Sequence, residues 1–151
     1  LREIRRIKAR VESERLPRGV QPSRHVKLGP GGLSDVEWLV QTLQLRHAGE
    51  HSSLRTTSTL PALRALVSLD LLPAADAEAL EKAWLLCSRI RAAGYLWSGK
   101  ASDVLPSHTR DVAALARWCA GPGHHAGDVE EHVKRTMRHA RQVFEKHFYG
   151  L

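Results

Sequence analysis

The stretch GGLSDVEWLVQTLQLRHAG, residues 31–49, contains the clearest helical signal in the chain. Its apolar residues recur every three or four positions, at Leu33, Val36, Val40 and Leu43. This spacing places them on one face of an α-helix, and Gly49 then ends the pattern. Ser34 and Glu37 have the spacing of a capping box, so we expect them to cap the start of the helix. The stretch therefore predicts an amphipathic helix with one buried face.

Helical periodicity continues through the rest of the chain, and no stretch alternates between apolar and polar residues as a half-buried strand does. Five more helices are predicted, with starts near Leu1, Thr59, Asp76, Thr109 and Asp128. Their connections are mostly short, which favours antiparallel packing. The fold is therefore predicted to be all-α, an antiparallel helical bundle of four main helices plus short extra helices.

The apolar residues of the first helix and the four tryptophans lead to two further predictions about packing. In the first helix one stripe is formed by Leu1, Ile4, Ile7 and Val11, and the other faces are rich in arginine. The four tryptophans all lie on predicted helices, at positions 38, 84, 97 and 118. Tryptophan at such positions usually packs in the core or between helices, so we expect that role here.

The positive charge of the chain is concentrated at its beginning. The net charge is +7 over 151 residues, and residues 1–27 carry nine Lys or Arg against three Glu. An independent basic module that binds nucleic acid through residues 1–27 is therefore an alternative function. No aromatic residue lies in this segment, which makes binding of single strands less expected. No apolar run is long enough to span a membrane, and the two cysteines have the pattern of buried thiols in the cytoplasm.

A glycine-rich loop with a lysine and two acids is the candidate functional feature. Its members are Lys27, Gly29, Gly31, Gly32, Asp35 and Glu37. Amides at a helix start can bind phosphate together with a lysine, although no GK[ST] sequence follows and a P-loop is excluded. The alternative is that the glycines allow a tight turn against a neighbouring element. The residues alone leave both possibilities open.

Catalytic and metal-binding groups are not predicted in this chain. The acid pairs at 35/37, 76/78 and 128/130 lie in first turns of predicted helices, where carboxylates interact with the amides and the helix dipole. The histidines at 124, 125 and 132 lie near Asp128, but adjacent histidines in a Gly/Pro loop seldom point at one ion. No nucleophile with a matching base and strained turn is present either.

The runs HVKLGPGGLSDVEWLVQTLQLRHA and SLRTTSTLPALRAL resemble a segment of the glutamine synthetase adenylyltransferases. The family pattern is met by Lys27, Gly31, Gly32, Leu33, Asp35, Val36, Glu37, Trp38 and Gln41. The resemblance extends over nearly the whole chain, up to the ending HFYGL. It implies the last helical bundle of such an enzyme, similar to the substrate-binding domains of nucleotidyltransferases, behind a core that adenylylates a tyrosine of glutamine synthetase.

The resemblance also implies a division of labour between this chain and a catalytic core that it lacks. Residues 1–32 would be a basic helix and a Gly/Pro-rich junction leading from the core, and residues 33–151 would be the bundle. The full-length enzyme would use ATP and Mg²⁺, whereas neither is expected to bind the fragment alone. The implied partners are the enzyme's own nucleotidyltransferase core, glutamine synthetase and the PII signalling protein. Glycine-loop residues would then lie at the junction, as nucleotide contacts or as a hinge.

Overall fold

The computed structural model describes residues 1–120 and 125–150, and these residues form six α-helices with no β-strand. The helices are α1 (Arg2–Arg15), α2 (Leu33–His47), α3 (Thr59–Ser68), α4 (Ala74–Ser98), α5 (Thr109–Ala120) and α6 (Ala126–Phe148). Two 3-10 turns lie at Pro22–Arg24 and Ser52–Leu54. The predicted all-α bundle is therefore confirmed.

Helices α2, α4, α5 and α6 form the body of the bundle, and α4 packs against the other three. Asp76 in the first turn of α4 accepts hydrogen bonds from Lys146 and pairs with His147 at the end of α6, so α4 and α6 are antiparallel. At the other end of α4, the Trp97 indole donates to Asp111 at the start of α5. These contacts give the up-and-down arrangement that short connections favour.

The apolar core has two halves, and both are built on α4. One half joins α2, α3, the first turns of α4 and the end of α6. The other joins Val26, Leu33, the later turns of α4, Leu105, α5 and the first half of α6. Trp84 packs against both halves. The loop before α2 therefore contributes Val26 to the second half, and α2 contributes its first residue, Leu33.

The capping box expected at α2 is not formed. Helix α2 begins at Leu33, one residue earlier than expected, with Gly32 in the N-cap position and no side-chain cap bond. Ser34 lies within the first turn and is buried. The carboxylate that bonds the backbone ahead of the helix belongs to Asp35 and not to Glu37, because Oδ2 of Asp35 accepts a hydrogen bond from the Gly31 amide. Helix α4 likewise begins at Ala74, two residues before Asp76.

Two packing expectations are corrected by the structure. In α1, Leu1 and Ile7 are exposed while Lys8 is buried, because the side facing the bundle is formed by Ile4, Lys8 and Glu12 at intervals of four residues. Trp97 and Trp118 are also exposed. Trp97 lies at the end of α4, and Trp118 lies on the outer side of α5, which packs against α4 and α6. Trp38 and Trp84 pack against the core as expected.

Within the part of the chain that the structure describes, no helix combines the length and the hydropathy needed to cross a membrane.

Candidate functional site

The start of the glycine loop is held to the segment before α5 by backbone hydrogen bonds. The Val26 amide donates to the carbonyl of Asp103 at 2.8 Å, and the Leu105 amide donates to the carbonyl of Arg24 at 2.9 Å. The Arg24 side chain pairs with Glu130 on α6, so the start of the loop is also tied to that helix. These contacts, with burial of Val26 and Leu33, give the loop a defined position against α6.

The glycines allow close approach of one backbone segment to another. Gly31 has φ +74°, and a Cβ at this position would lie 1.7 Å from the carbonyl oxygen of Met137 on α6. At Gly29 a Cβ would lie 2.1 Å from the carbonyl oxygen of Pro22. At Gly32 the corresponding distance to the carbonyl oxygen of Val26 is 2.6 Å. A side chain fits at none of the three positions, which favours the tight-turn alternative.

The amides of the loop already have acceptors within the protein. Gly29 donates to His25 at 2.8 Å, Gly32 donates to Gly29 at 2.9 Å, and Leu33 donates to Val26 at 3.0 Å. The Gly31 amide donates to Oδ2 of Asp35 at 2.7 Å. Anion sites at helix starts depend on amides without such partners. A phosphate bound by residues 31–33 would therefore have to displace these bonds.

Lys27 and Glu37 do not converge with Asp35. Both side chains are half-buried, and neither has a hydrogen bond or ion pair with another residue in ranges 1–120 and 125–150. Asp35 and Glu37 are two positions apart on a helix, which turns their side chains about 200° from each other. The six candidate residues are therefore neighbours along the chain but not one constellation of side chains.

Asp35 instead lies at the centre of a buried ion cluster that joins three helices. Asp35 and Lys8 are each 1% exposed, and Nζ of Lys8 donates to Oδ1 of Asp35 at 2.5 Å. Arg141 on α6 donates to Oδ2 of the same carboxylate at 3.0 Å. Glu12 pairs with Lys8 at 3.1 Å and with Arg141 at 2.7 Å. Two cations and two carboxylates thus compensate each other, as buried charges require.

The surroundings of the cluster stabilise its charged forms. Burial raises the pKa of Glu12, but hydrogen bonds from Arg141 and Lys8 outweigh this effect, and the net pKa lies below its usual value. For Arg141 burial lowers the pKa, and the bonds to Glu12 and Glu145 with the nearby Asp35 raise it overall. The ring of Phe144 lies beneath both cations, with its centroid 5.3 Å from Nζ of Lys8 and 5.1 Å from Cζ of Arg141. We refer to Lys8, Glu12, Asp35 and Arg141 as the Asp35 cluster.

The sequence indicates Asp35 as a candidate residue but does not indicate its three partners. Lys8 and Glu12 are four residues apart on a helix, a spacing visible in the sequence that indicates an ion pair. Nothing local indicates that Arg141, which is 106 residues from Asp35, completes the cluster. The arrangement can fix the position of α1 and of the glycine loop. Both oxygens of Asp35 accept hydrogen bonds from protein groups, so its charge is used within the cluster.

Among residues 1–120 and 125–150, no three His, Cys, Asp or Glu side chains lie close enough together to hold one metal ion. Of the histidines considered in the sequence, His124 lies outside the described residues.

Comparison with known proteins gives consistent results. The family model described as GlnD PII-uridylyltransferase matches residues 4–148. The "Bifunctional glutamine synthetase adenylyltransferase/adenylyl-removing enzyme" of Streptomyces avermitilis is 52% identical over 151 residues, which covers 99% of this chain. Proteins of the same name from Streptomyces coelicolor and Nocardia farcinica are 51% and 50% identical, over 99% and 98% of the chain. The chain spans about 15% of the length of each of these relatives.

Proposed function

Because the chain belongs to the family described by the GlnD PII-uridylyltransferase model, with extensive identity to adenylyltransferases, we propose that it is the C-terminal helical domain of a glutamine synthetase adenylyltransferase. The observation that carries the proposal is the 52% identity over 99% of the chain to an enzyme of that name. The enzyme would transfer AMP from ATP to a tyrosine of glutamine synthetase. Since the match spans about 15% of that relative, the reaction would need the remainder of a longer polypeptide.

The domain would act as a scaffold rather than as the catalytic unit. Its buried acid, Asp35, is neutralised by Lys8 and Arg141, so it is not available to bind a catalytic metal ion. We propose that ATP and Mg²⁺ bind to the remainder of the enzyme, in the cytoplasm. Glutamine synthetase would be the substrate, and the PII signalling protein would regulate the direction of the reaction.

The ion pairs of α1 make nucleic-acid binding through residues 1–27 the less favoured function. Arg6 pairs with Glu3, Arg10 pairs with Glu14, and Lys8 is buried in the Asp35 cluster. Nucleic-acid binding depends on cations that neutralise phosphates, and each of these three already has a carboxylate partner. Fewer cations are therefore available to a polyanion than the number of Lys and Arg residues in this segment indicates.

Lys27 is the residue in the glycine loop for which a nucleotide contact is proposed. Its side chain has no hydrogen bond or ion pair with the described residues, whereas the amides at 31–33 all donate to protein acceptors. The backbone of Lys27 is fixed, since its carbonyl accepts the Ser34 amide at 2.9 Å. A half-buried lysine on a fixed backbone is suited to interact with the phosphates of ATP held by an adjoining core.

The proposal is tested in the longer enzyme by following transfer of labelled AMP from ATP to glutamine synthetase. We expect transfer by the unaltered enzyme and, in Lys27→Ala, a reduction in kcat/KM for ATP of about tenfold, the value of one charge-assisted contact. Lys100→Ala is the matched control, because Lys100 is exposed and has no side-chain partner among the described residues.

The two parts of the proposal fail separately. No AMP transfer by the unaltered longer enzyme would refute the assigned reaction. Equal values of kcat/KM for Lys27→Ala and Lys100→Ala would leave the reaction in place and exclude the nucleotide contact of Lys27.

A further inference from the structure

Helix α1 attaches to the bundle in an unusual way, through charged rather than apolar side chains. The residue that it buries most completely is Lys8, in the Asp35 cluster, and the Arg5 guanidinium donates to the carbonyl of Phe148 at 3.2 Å. Ile4 is the α1 residue that packs against the first half of the core. Amphipathic helices ordinarily bury their apolar stripe against the bundle. In α1 only part of that stripe meets the bundle, at Ile4.

The apolar stripe of α1 lies instead along the flank of the helix. Ile4 and Val11 are half-buried, and Ile7, between them in the stripe, is 44% exposed. Leu1, three residues before Ile4, is 48% exposed. Because residues three and four apart are neighbours on a helix, these four side chains form a continuous apolar strip about three turns long. We refer to Leu1, Ile4, Ile7 and Val11 as the α1 flank.

Charges beside the flank indicate the chemistry of a surface that would cover it. Arg2 and Arg15 are exposed and have no acidic partner among the described residues, whereas Arg6 and Arg10 have Glu3 and Glu14. A complementary surface would be apolar at its centre and acidic at its edge.

We propose that the α1 flank is the surface on which the remainder of the longer adenylyltransferase docks. This inference rests on the proposed function, in which this domain is about 15% of a longer polypeptide, the share of its relatives that it matches. Contiguous exposed apolar surface marks interaction sites, and interfaces between domains of one chain are partly polar, as this flank and its arginines are. The Asp35 cluster would then hold α1 to the bundle while the flank holds it to the rest of the enzyme.

The arrangement makes α1 a connector with two different faces. One oxygen of Asp35 binds Lys8 of α1, and the other binds the Gly31 amide. A displacement of α1 by its docking partner would therefore act directly on the carboxylate that holds the glycine loop.

Thiol labelling in the longer enzyme tests the docking surface without relying on activity. Ile7→Cys is compared with Leu45→Cys, a control on α2 whose native side chain is 77% exposed. Maleimide reaction rates are measured for each folded enzyme and divided by the rates in denaturant, with the parent enzyme as background. Without docking, the two normalised rates should agree within about twofold, since reaction follows exposure. With docking, the Ile7→Cys thiol should react at least about tenfold more slowly than the Leu45→Cys thiol.

Two outcomes would overturn the docking proposal, and a third would support it while refuting the assigned reaction. Equal rates would show that the flank is open in the whole enzyme, even if AMP transfer is normal. Protection that disappears on dilution would identify a second copy of the enzyme as the occupant and would also overturn the proposal. Protection independent of concentration, in an enzyme that fails to transfer AMP, would support the docking surface and refute the reaction.

Discussion

At the scale of single residues, Gly31 shows how one position connects a loop to a helix. Its positive φ is rare for residues with side chains, and the carbonyl of Met137 occupies the space that a Cβ would need. Since the neighbour is backbone of α6, it cannot move aside as a flexible side chain could. The Gly31 amide also donates to Oδ2 of Asp35 at 2.7 Å, so a change of conformation at this residue would disturb that hydrogen bond.

Gly31→Ala is expected to destabilise the domain by at least about 3 kcal/mol, because backbone strain and the contact with Met137 add together. The measurement is urea unfolding followed by far-ultraviolet circular dichroism. Gly94→Ala is the control in α4, where the added methyl group meets no atom within 4 Å. It should stabilise the domain by about 0.5–1 kcal/mol through helix propensity. Two variants of equal stability would contradict this account of Gly31.

At the scale of elements, the Asp35 cluster couples α1, α2 and α6. Lys8 and Asp35 are both buried, so removal of one charge leaves the other in a site with few remaining solvent contacts. When Lys8 is removed, Arg141 can still pair with Asp35, from which it lies 3.0 Å away, and this reduces the loss of stability. The cost of breaking the cluster should therefore be large but below that of an isolated buried charge.

Lys8→Met is expected to lower the free energy of unfolding by about 3 kcal/mol. Lys82→Met is the control, because Lys82 forms an exposed pair with Glu78 four residues away, and it should cost about 0.5 kcal/mol or less. A double-mutant cycle combines Lys8→Met with Asp35→Asn. We expect the double variant to lose less unfolding free energy than the two single variants lose together, by more than about 1 kcal/mol. Strictly additive effects would mean that the Lys8–Asp35 contact contributes little.

The cluster also marks the limit of what local sequence patterns can reveal. Spacing of apolar residues predicted α2 and α3, because a helix buries a face that repeats every few residues. For α1 the same pattern predicted the helix but not its contact side, since a charged side replaces the apolar stripe against the bundle. The partnership of Asp35 with Arg141 is fixed by the packing of α2 on α6, which no short stretch encodes.

At the scale of the whole molecule, several titrating groups make the folded state less stable as the pH falls. Burial lowers the pKa of His25 below its usual value of 6.5, and its Nδ1 accepts a hydrogen bond from the Leu28 amide at 3.0 Å. Hydrogen bonds from Lys146 and His147 lower the pKa of Asp76 below 3.8. The pKa of Glu12 is also lowered, from 4.5. In each case the unfolded chain binds protons at a higher pH than the folded chain does.

Stability should therefore fall as the solution is acidified, in two stages. The contribution of His25 is fully present above about pH 6.5 and decreases below it. The contribution of Glu12 decreases below about pH 4.5 and that of Asp76 below about pH 3.8. Urea midpoints measured between pH 8 and pH 3.5 would show both stages. His25→Asn keeps an acceptor for the Leu28 amide but does not titrate, so it should flatten the first stage of the decline, which begins below about pH 6.5. An unchanged decline in this variant would exclude His25 as its cause.

Helix α4 extends through both halves of the core over 25 residues, with Trp84 between them. One residue inserted into α4 after Trp84 would rotate every later side chain by about 100° and advance it by about 1.5 Å. The turns that meet α5 would then face a different direction from those that meet α3. Natural variation in length is consequently expected in the connections between helices and not within the middle of α4.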